Sequence, residues 1–290
     1  GPPERTVAVE LVMVGTGSPV PDAQRAGPSQ LVGVDGRWFL IDAGRGCLMR
    51  LAAAGVGPTL LERLLVTHLH SDHVTDLNDV ITTRWITGFP PLPLPVVGPQ
   101  GTQRFVDDTL RMLGPDIGWR VAHHDDVVAG PEVHVTETTG VMGEVVVDDG
   151  VRIIAAPTDH RPVHPTVAYR VEADGRSVVL AGDTVPCEGL DHLCASADVY
   201  VQTVVRDDVI RNVPVPRLHD VLDYHSTVAD AARTAARSGV GTLVLNHCVP
   251  TPGPDPDGPN GRNEWLALAS EHFDGEVLLP DDLDRIPVGT

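Results

Sequence analysis

The sequence predicts an α/β protein built as a four-layer αββα sandwich, in which two β-sheets pack face to face and helices cover their outer surfaces. Strand-like segments dominate the centre of the chain, helical segments flank both halves, and no tandem repeat interrupts the pattern. Packed sheets with helices outside are one of the few arrangements that bury the apolar face of every element. Because an α/β chain of 290 residues can form one unit, we expect a single domain over residues 4–290.

The first half of the chain alternates predicted strands and helices. Runs of apolar residues bounded by glycine, proline and aspartate predict strands, and longer periodic runs predict helices. In chain order these are a strand over 7–14, a β-region over 30–41 with a turn at 35–36, a short helix over 47–54, a buried strand over 64–67, and helices over 73–86 and 100–113. The segment 88–95 contains four prolines and is predicted to be a surface loop.

The second half is predicted to be richer in strands. The stretch 121–156 is strand-like, and further strands are predicted over 166–172, 177–180, 198–205 and 242–245. An alanine-rich helix is predicted over 227–237 and should end at Gly239. The segment Pro250–Gly261 is rich in proline, glycine and aspartate, which indicates a loop.

The composition combines a substantial core with a strongly acidic surface. Hydrophobic residues make up 42% of the chain, whereas 40 acidic residues against 21 basic ones give a formal charge of -19. Such a field repels phosphate backbones and is atypical of nucleic-acid binders. The acidity is also explained by solubility alone, and cations bound in a cleft would offset the charge locally.

The four cysteines and the apolar pattern indicate a cytoplasmic protein. Cys47, Cys187, Cys194 and Cys248 form no C-x-x-C pair, which argues against a disulfide scaffold or a cysteine-based zinc finger. Cys248 is expected to be a buried thiol. Because it directly follows His247, a candidate metal ligand, it could alternatively be an extra ligand. There is no apolar run of about 18 residues and no signal-peptide pattern. Gly1-Pro2 resembles the remnant of a cleaved tag.

The run His68-Leu69-His70-Ser71-Asp72-His73 is the strongest functional signal in the chain. It directly follows the predicted buried strand, so a tight loop can turn its side chains toward one point. Imidazole nitrogens and carboxylate oxygens are ligands that zinc accepts. Burying these groups together is costly without a cation. The alternative is a polar loop at a helix N-terminus.

This H-x-H-x-D-H run after an apolar strand resembles the signature of the metallo-β-lactamase superfamily. Further segments from residue 7 to residue 280 follow in the family's order: Asp42-Ala43-Gly44, Thr158-Asp159-His160, Ala181-Gly182-Asp183-Thr184 and Leu245-Asn246-His247. The resemblance implies the fold named for that superfamily and two metal ions. Zinc is the expected metal, with Mn²⁺ or Fe²⁺ as alternatives. The implied ligands are His68, His70 and His160 for one ion, Asp72, His73 and His247 for the other, and Asp183 between them. Asp42 would orient these ligands through hydrogen bonds or act as a purely structural carboxylate.

Two histidines compete for one ligand position. His160 and His164 lie in the same segment, and we favour His160 because it follows Asp159 and precedes a strand containing Tyr169-Arg170, as the resemblance requires. His164 would then be a pocket residue or simply exposed. The remaining histidines match no motif and are expected on the surface or in the core: His123, His124 and His134.

Within the superfamily the chain resembles the ribonuclease Z and arylsulfatase-like branch. The similarity lies in Gly15-Thr16-Gly17-Ser18-Pro19 and in Tyr224-His225-Ser226-Thr227 before the alanine-rich helix. It implies that His225 faces the metal cleft and either protonates a leaving oxygen or holds a phosphoryl oxygen. In metal-assisted hydrolysis, Asp72 could also accept a proton from the nucleophile. Alternatively, His225 merely flanks the helix.

Two departures bear on the substrate. Only 22 residues separate His160 from Asp183, too few for the long arm usual in ribonuclease Z, and Val201-Gln202-Thr203 stands where His-Glu is expected. His225 therefore lacks the usual glutamate partner.

The leading prediction is a binuclear ribonuclease Z-like phosphodiesterase, an endoribonuclease without the long arm that would process transfer-RNA ends. The alternative is an arylsulfatase- or lactonase-like hydrolase of small esters. A redox role is disfavoured because no residues remain for a flavin domain. The resemblance further implies a homodimer, with helices near residues 73–113 as candidate contact surfaces.

Overall fold

A computed structural model describes residues 8–289 and confirms the predicted four-layer arrangement. The predicted tag remnant Gly1-Pro2 and Val7, the first residue of the predicted first strand, lie outside the described residues. The prediction of a single domain over residues 4–290 stays a prediction, because residues 4–7 and 290 also fall outside this range.

The described chain contains fifteen strands and ten α-helices. The strands are β1 Val9–Gly15, β2 Ser29–Val34, β3 Arg37–Ile41, β4 Leu61–Leu65, β5 Leu94–Gly98, β6 Val133–Glu137, β7 Gly143–Asp148, β8 Val151–Pro157, β9 Val167–Ala173, β10 Arg176–Leu180, β11 Val199–Val205, β12 Ser226–Thr227, β13 Thr242–Val249, β14 Glu276–Leu278 and β15 Arg285–Pro287. The helices are α1 Cys47–Ala53, α2 Ser71–Val74, α3 Leu77–Thr87, α4 Thr102–Met112, α5 Gly114–His123, α6 Glu188–Cys194, α7 Asp207–Ile210, α8 Pro216–His219, α9 Val228–Ser238 and α10 Arg262–Ser270. Two 3₁₀ turns cover Pro58–Leu60 and Asp220–Asp223.

Both sheets are mixed. The first has the order β15-β1-β2-β3-β4-β5-β6 and becomes parallel from β3 onward. The second has the order β14-β13-β11-β10-β9-β8-β7, with β12 beside β11, and is parallel from β10 to β14. The candidate site residues lie in the loops that follow β4, β8 and β10, directly before β12, and on β13.

Three apolar clusters form the core: one lies between the two sheets, and the other two lie between each sheet and its outer helices. The strands alternate between them: Leu11 packs between the sheets while Val12 packs against the helices, and Val178 and Val179 divide in the same way in the second sheet. Side chains on both faces are therefore buried, which explains why these strands are mostly apolar rather than alternating between apolar and polar residues.

The N-terminus of α9 is fixed by a side-chain cap. Thr227 caps α9 in a reciprocal pair with Asp230, and Gly239 ends the helix with a left-handed backbone at φ 68°. This confirms the predicted alanine-rich helix and its end. It also holds His225 two residues before the cap.

Several elements differ from the sequence prediction. The prediction of a loop over 88–95 is wrong at its C-terminal end, because β5 begins at Leu94 and contains Pro95. Proline fits there because β4 pairs with β5 only at Val96 and Val97, so no ladder bond is needed from residue 95. Helix α5 was not predicted, and residues 121–123 belong to it rather than to a strand. The predicted helix over 73–86 is two helices, α2 and α3.

No helix among the described residues is both long and apolar enough to cross a membrane.

Candidate metal centre and active site

The loop after β4 turns the histidine run toward one point. Leu69 packs against the helical side of the first sheet, and His68 and His70 on either side of it approach each other, with His68 Nε2 3.2 Å from His70 Nδ1. Helix α2 begins at Ser71 and places Asp72 and His73 in its first turn, where both are buried. The tight loop expected from the sequence is therefore formed.

Four groups from three loops make the first candidate ligand set. His68, His70, His160 and Asp183 offer ligand atoms that all lie within 4.8 Å of one another. His160 Nε2 is 3.2 Å from His70 Nδ1, and Asp183 Oδ2 is 3.8 Å from His68 Nε2. The ring nitrogen of His160 that faces away from the other ligands is also hydrogen-bonded, because His160 Nδ1 donates to the Tyr224 carbonyl at 2.7 Å. Such outer hydrogen bonds typically orient metal-binding imidazoles.

The second candidate set adjoins the first across Asp183. Asp72, His73 and His247 offer ligand atoms within 4.8 Å of one another, with His247 Nε2 3.0 Å from Asp72 Oδ2. Asp183 Oδ1 lies 3.4 Å from His73 Nε2, and Asp183 Oδ2 lies 3.6 Å from His247 Nε2. The Asp183 carboxylate therefore faces both sets.

Unsatisfied buried nitrogens support metal binding here. His73 Nε2 is buried without a hydrogen-bond partner among the described residues, although it faces the carboxylates of Asp72 and Asp183. An isolated buried nitrogen of this kind is costly and rare. A cation between these groups would satisfy it, and five imidazoles with two carboxylates form a donor set suited to zinc.

Asp42 ties the two sets together. Its buried carboxylate accepts from the Thr67 amide at 2.8 Å, the Thr67 hydroxyl at 2.7 Å and His73 Nδ1 at 2.7 Å. The Thr67 hydroxyl also lies 3.0 Å from His68 Nδ1. Asp42 has a left-handed backbone at φ 58°, which aspartate tolerates better than most residues. Its carboxylate thus acts directly on His73 and through Thr67 on His68.

Gly182 lets the Asp183 loop approach the histidine run. Its backbone lies at φ 63°, and a Cβ at this position would be 2.8 Å from the Thr67 side chain. A larger residue would therefore push the Asp183 carboxylate away from the first ligand set.

The pKa shifts of the histidines differ between the two ligand sets. Burial lowers the pKa of His68 well below its usual value and lowers the pKa of His160 to about 4. Burial acts in the same direction on His73, but Asp183 and Asp42 outweigh it and raise the pKa of His73 well above the usual value. Burial would raise the pKa of Asp183, yet His247 and His73 hold it well below the usual range. The Asp183 carboxylate is therefore ionised.

His225 faces the same carboxylate from the other side. Its Nε2 lies 3.4 Å from Asp183 Oδ2, and its Nδ1 lies 2.8 Å from the Val221 carbonyl oxygen. The expected absence of a glutamate partner therefore does not leave the ring unoriented, because the main chain of the 3₁₀ turn supplies an acceptor. Sequence reasoning missed this contact, since a carbonyl four residues away carries no side-chain signal.

Thr203 and Gln202, which stand where His-Glu was expected, hold the loop that carries Asp183. The Thr203 hydroxyl donates to Asp183 Oδ1 at 2.7 Å. The Gln202 amide donates to the Gly182 carbonyl at 3.2 Å, and its oxygen accepts from the Tyr200 hydroxyl at 2.6 Å. Buried polar residues in a strand otherwise made of valine and tyrosine were the available sequence signal for this role.

The remaining histidines and the cysteines lie outside both ligand sets. His164 is exposed, as are the three histidines without a motif, His123, His124 and His134. Cys248 is buried in the helical layer of the second sheet and belongs to neither ligand set. All four cysteines are free.

Comparison with known protein families agrees with this geometry. Residues 37–248 match the model of the beta-lactamase superfamily domain. The chain is 51% identical over 282 residues to ribonuclease Z from Mycobacterium bovis (strain BCG / Pasteur 1173P2), covering 97% of this chain and 98% of the relative. It is 55% identical over 283 residues to ribonuclease Z from Mycolicibacterium paratuberculosis, with the same two coverages. Since the alignments span nearly all of both chains, these relatives carry no long additional arm either.

Comparison with solved structures supports the fold alone. Human tRNase Z, short form, superposes with a TM-score of 0.70 at 21% identity, covering 97% of this chain and all of that one. The metallo-beta-lactamase fold protein YhfI from Bacillus subtilis gives a TM-score of 0.74 at 17% identity, covering 97% and 99%.

Proposed function

Because the chain belongs to the ribonuclease Z family of the beta-lactamase superfamily, we propose that it is a metal-dependent endoribonuclease that processes transfer-RNA ends. The observation that carries the proposal is the Asp183 carboxylate, which faces both candidate ligand sets in a chain about half identical to ribonuclease Z proteins over its full length. The human neighbour is named tRNase Z, which is consistent with this substrate.

We propose two zinc ions as the resident metals, with Mn²⁺ or Fe²⁺ as alternatives. His68, His70 and His160 would hold one ion and Asp72, His73 and His247 the other, with Asp183 shared. When bound, such a pair supplies Lewis acidity and lowers the pKa of water. The donor set and the unsatisfied His73 nitrogen support this assignment.

Two side chains are positioned to move protons. The Val221 carbonyl holds the Nδ1–H of His225, so the imidazolium form presents its Nε2–H toward the cleft, where it would protonate the leaving oxygen. Asp72 lies on the opposite side beside His247 and would accept the proton of the attacking nucleophile. The Asp183 carboxylate lies close to this imidazole, with Oδ2 3.4 Å from His225 Nε2.

The alternative activity, hydrolysis of small sulfate esters or lactones, is not favoured by the relatives, which are named ribonuclease Z. A substrate panel tests the proposal: a phosphodiester, a sulfate ester and a lactone, each chromogenic, together with RNA. We expect cleavage of the phosphodiester and the RNA only. Turnover of the sulfate ester or lactone with intact RNA would contradict the proposal.

We also propose that the protein acts in the cytoplasm as a homodimer. Large apolar side chains are exposed near the predicted contact helices, at Phe89, Met112 and Trp119. Exposed apolar groups of this size often mark protein–protein contacts. Light scattering at micromolar concentration should give twice the chain mass, and Trp119→Glu should lower it. A monomeric wild-type mass would contradict the dimer.

A further inference from the structure

A second pocket lies beside the ligand sets and has no role in the chemistry described so far. Its volume is about 410 Å³, within the range of small-ligand sites. It lies where β5, β6 and β8 end and β9 begins, and is lined by Gln100, Glu137, Thr138, Thr139, Gly140, Pro157, His164, Pro165, Thr166 and Val167.

Residues that line the pocket contact, or belong to, the loops that carry the candidate metal ligands. The Val167 amide donates to the Thr67 carbonyl at 2.9 Å, directly before His68. His164 lies on the same loop as His160, directly after the turn closed by the bridge between His160 and Val163. A group bound in the pocket would therefore adjoin a phosphodiester held at the ligand sets.

The charge of the pocket disfavours a phosphate. The Glu137 carboxylate accepts from the amides of Gly101 and Gln103 at 2.9 and 3.0 Å, so the start of α4 is already paired with an anion. Among the described residues that line the pocket there is no arginine, so a second anion would meet the negative charge of Glu137. An uncharged group is the better occupant.

The free polar side chains suit the edges of a nucleobase and its ribose. Gln100, Thr139 and His164 have no hydrogen-bond partner among the described residues, so their donors and acceptors are available. Pro157 and Pro165 supply apolar surface for the face of a ring. Apolar faces combined with a few polar groups are typical of sites that bind unstacked RNA bases.

We propose that this pocket binds the base and ribose of the nucleotide adjoining the cleaved bond. The inference rests on the proposed ribonuclease activity and assigns its nucleoside specificity to Gln100, Thr139 and His164. The free oxygen of Glu137 is placed to accept from a ribose hydroxyl or an exocyclic amine.

The test compares RNA with bis(p-nitrophenyl) phosphate, a diester without a nucleoside. For Gln100→Ala and His164→Ala, the ratio of kcat/KM on RNA to kcat/KM on the diester should fall about threefold to tenfold each, as expected for lost hydrogen bonds. Matched controls are Gln103→Ala, whose amide bonds Asp107 on its own helix, and the exposed His134→Ala. Both controls should keep the wild-type ratio.

The outcomes separate the two proposals. Wild-type protein that cleaves the diester but leaves RNA intact would overturn the proposed function and the pocket together. RNA cleavage by the wild type with unchanged ratios in Gln100→Ala and His164→Ala would overturn the pocket alone.

A base-deletion series identifies the nucleotide. RNA substrates carrying one abasic position on either side of the cleaved bond should be cut more slowly by the wild type. At the position held by the pocket, this loss should be smaller in Gln100→Ala, because the two deletions remove the same contact. Independent losses at both flanking positions would overturn the assignment.

Discussion

Replacing Asp42 with asparagine tests the link between the ligand sets. The amide has the same size as the carboxylate, and asparagine tolerates the left-handed backbone at φ 58°. One oxygen can still accept from the Thr67 amide. The new NH₂ group then faces the Thr67 hydroxyl and His73 Nδ1, two groups that both donate to the carboxylate.

The expected effect follows from these contacts. Hydrogen bonds to a charged group contribute about 1.5–3 kcal/mol each, and two are disrupted. The Thr67 hydroxyl can rotate to accept from the amide, so the net loss of folding free energy should be about 2–4 kcal/mol. Since His73 also loses its orienting partner, metal affinity should fall about 10- to 100-fold.

Competition with a chromophoric chelator measures the metal affinity, and thermal unfolding measures the stability. Asp149→Asn is a matched control, because Asp149 also has a left-handed backbone, at φ 40°, but lies in an exposed turn away from the site. It should leave the metal affinity unchanged. Wild-type metal affinity in Asp42→Asn would refute the proposed orienting role.

Three further predictions concern other groups. His160→Ala should lower the bound metal measured by elemental analysis, whereas His164→Ala should keep the wild-type count, and a reversed result would show the assignment to be wrong. His225→Ala should keep both metals but lose roughly 10²–10⁴-fold in kcat on alkoxide leaving groups and much less on nitrophenyl esters, and equal losses would argue for a positioning role. Burial raises the pKa of Cys47 and Cys248 to about 12, so at pH 8 only roughly one thiol in 10⁴ is ionised. Both should resist an aromatic disulfide reagent until the protein unfolds, and rapid labelling of either in the native state would contradict their burial.

The sequence was most informative where function depends on closely spaced side chains. The run from His68 to His73 was predicted from its residue types and spacing, whereas His160, Asp183 and His247 were predicted from the family resemblance. The structure brings all of these side chains together. Strands buried on both faces were also predictable, because they are mostly apolar, as β11 is.

Contacts between side chains and main-chain carbonyls could not be predicted from residue types. The acceptors for His160 and His225 are the carbonyls of Tyr224 and Val221, and a carbonyl is present at every residue. Strand β5 was missed because Pro95 normally argues against a central strand, and only the pairing register shows why it is tolerated.

The most direct test of the account is metal-dependent cleavage of a precursor transfer RNA. The purified protein would be assayed as isolated, after chelation, and after zinc is restored, with elemental analysis of each sample and mapping of the RNA products. The account predicts about two metal ions per chain and cleavage at a defined position near one end of the mature transfer RNA. This activity should disappear on chelation and return with zinc. Intact precursor RNA with fully loaded protein, or cleavage that persists after the metals are removed, would contradict it.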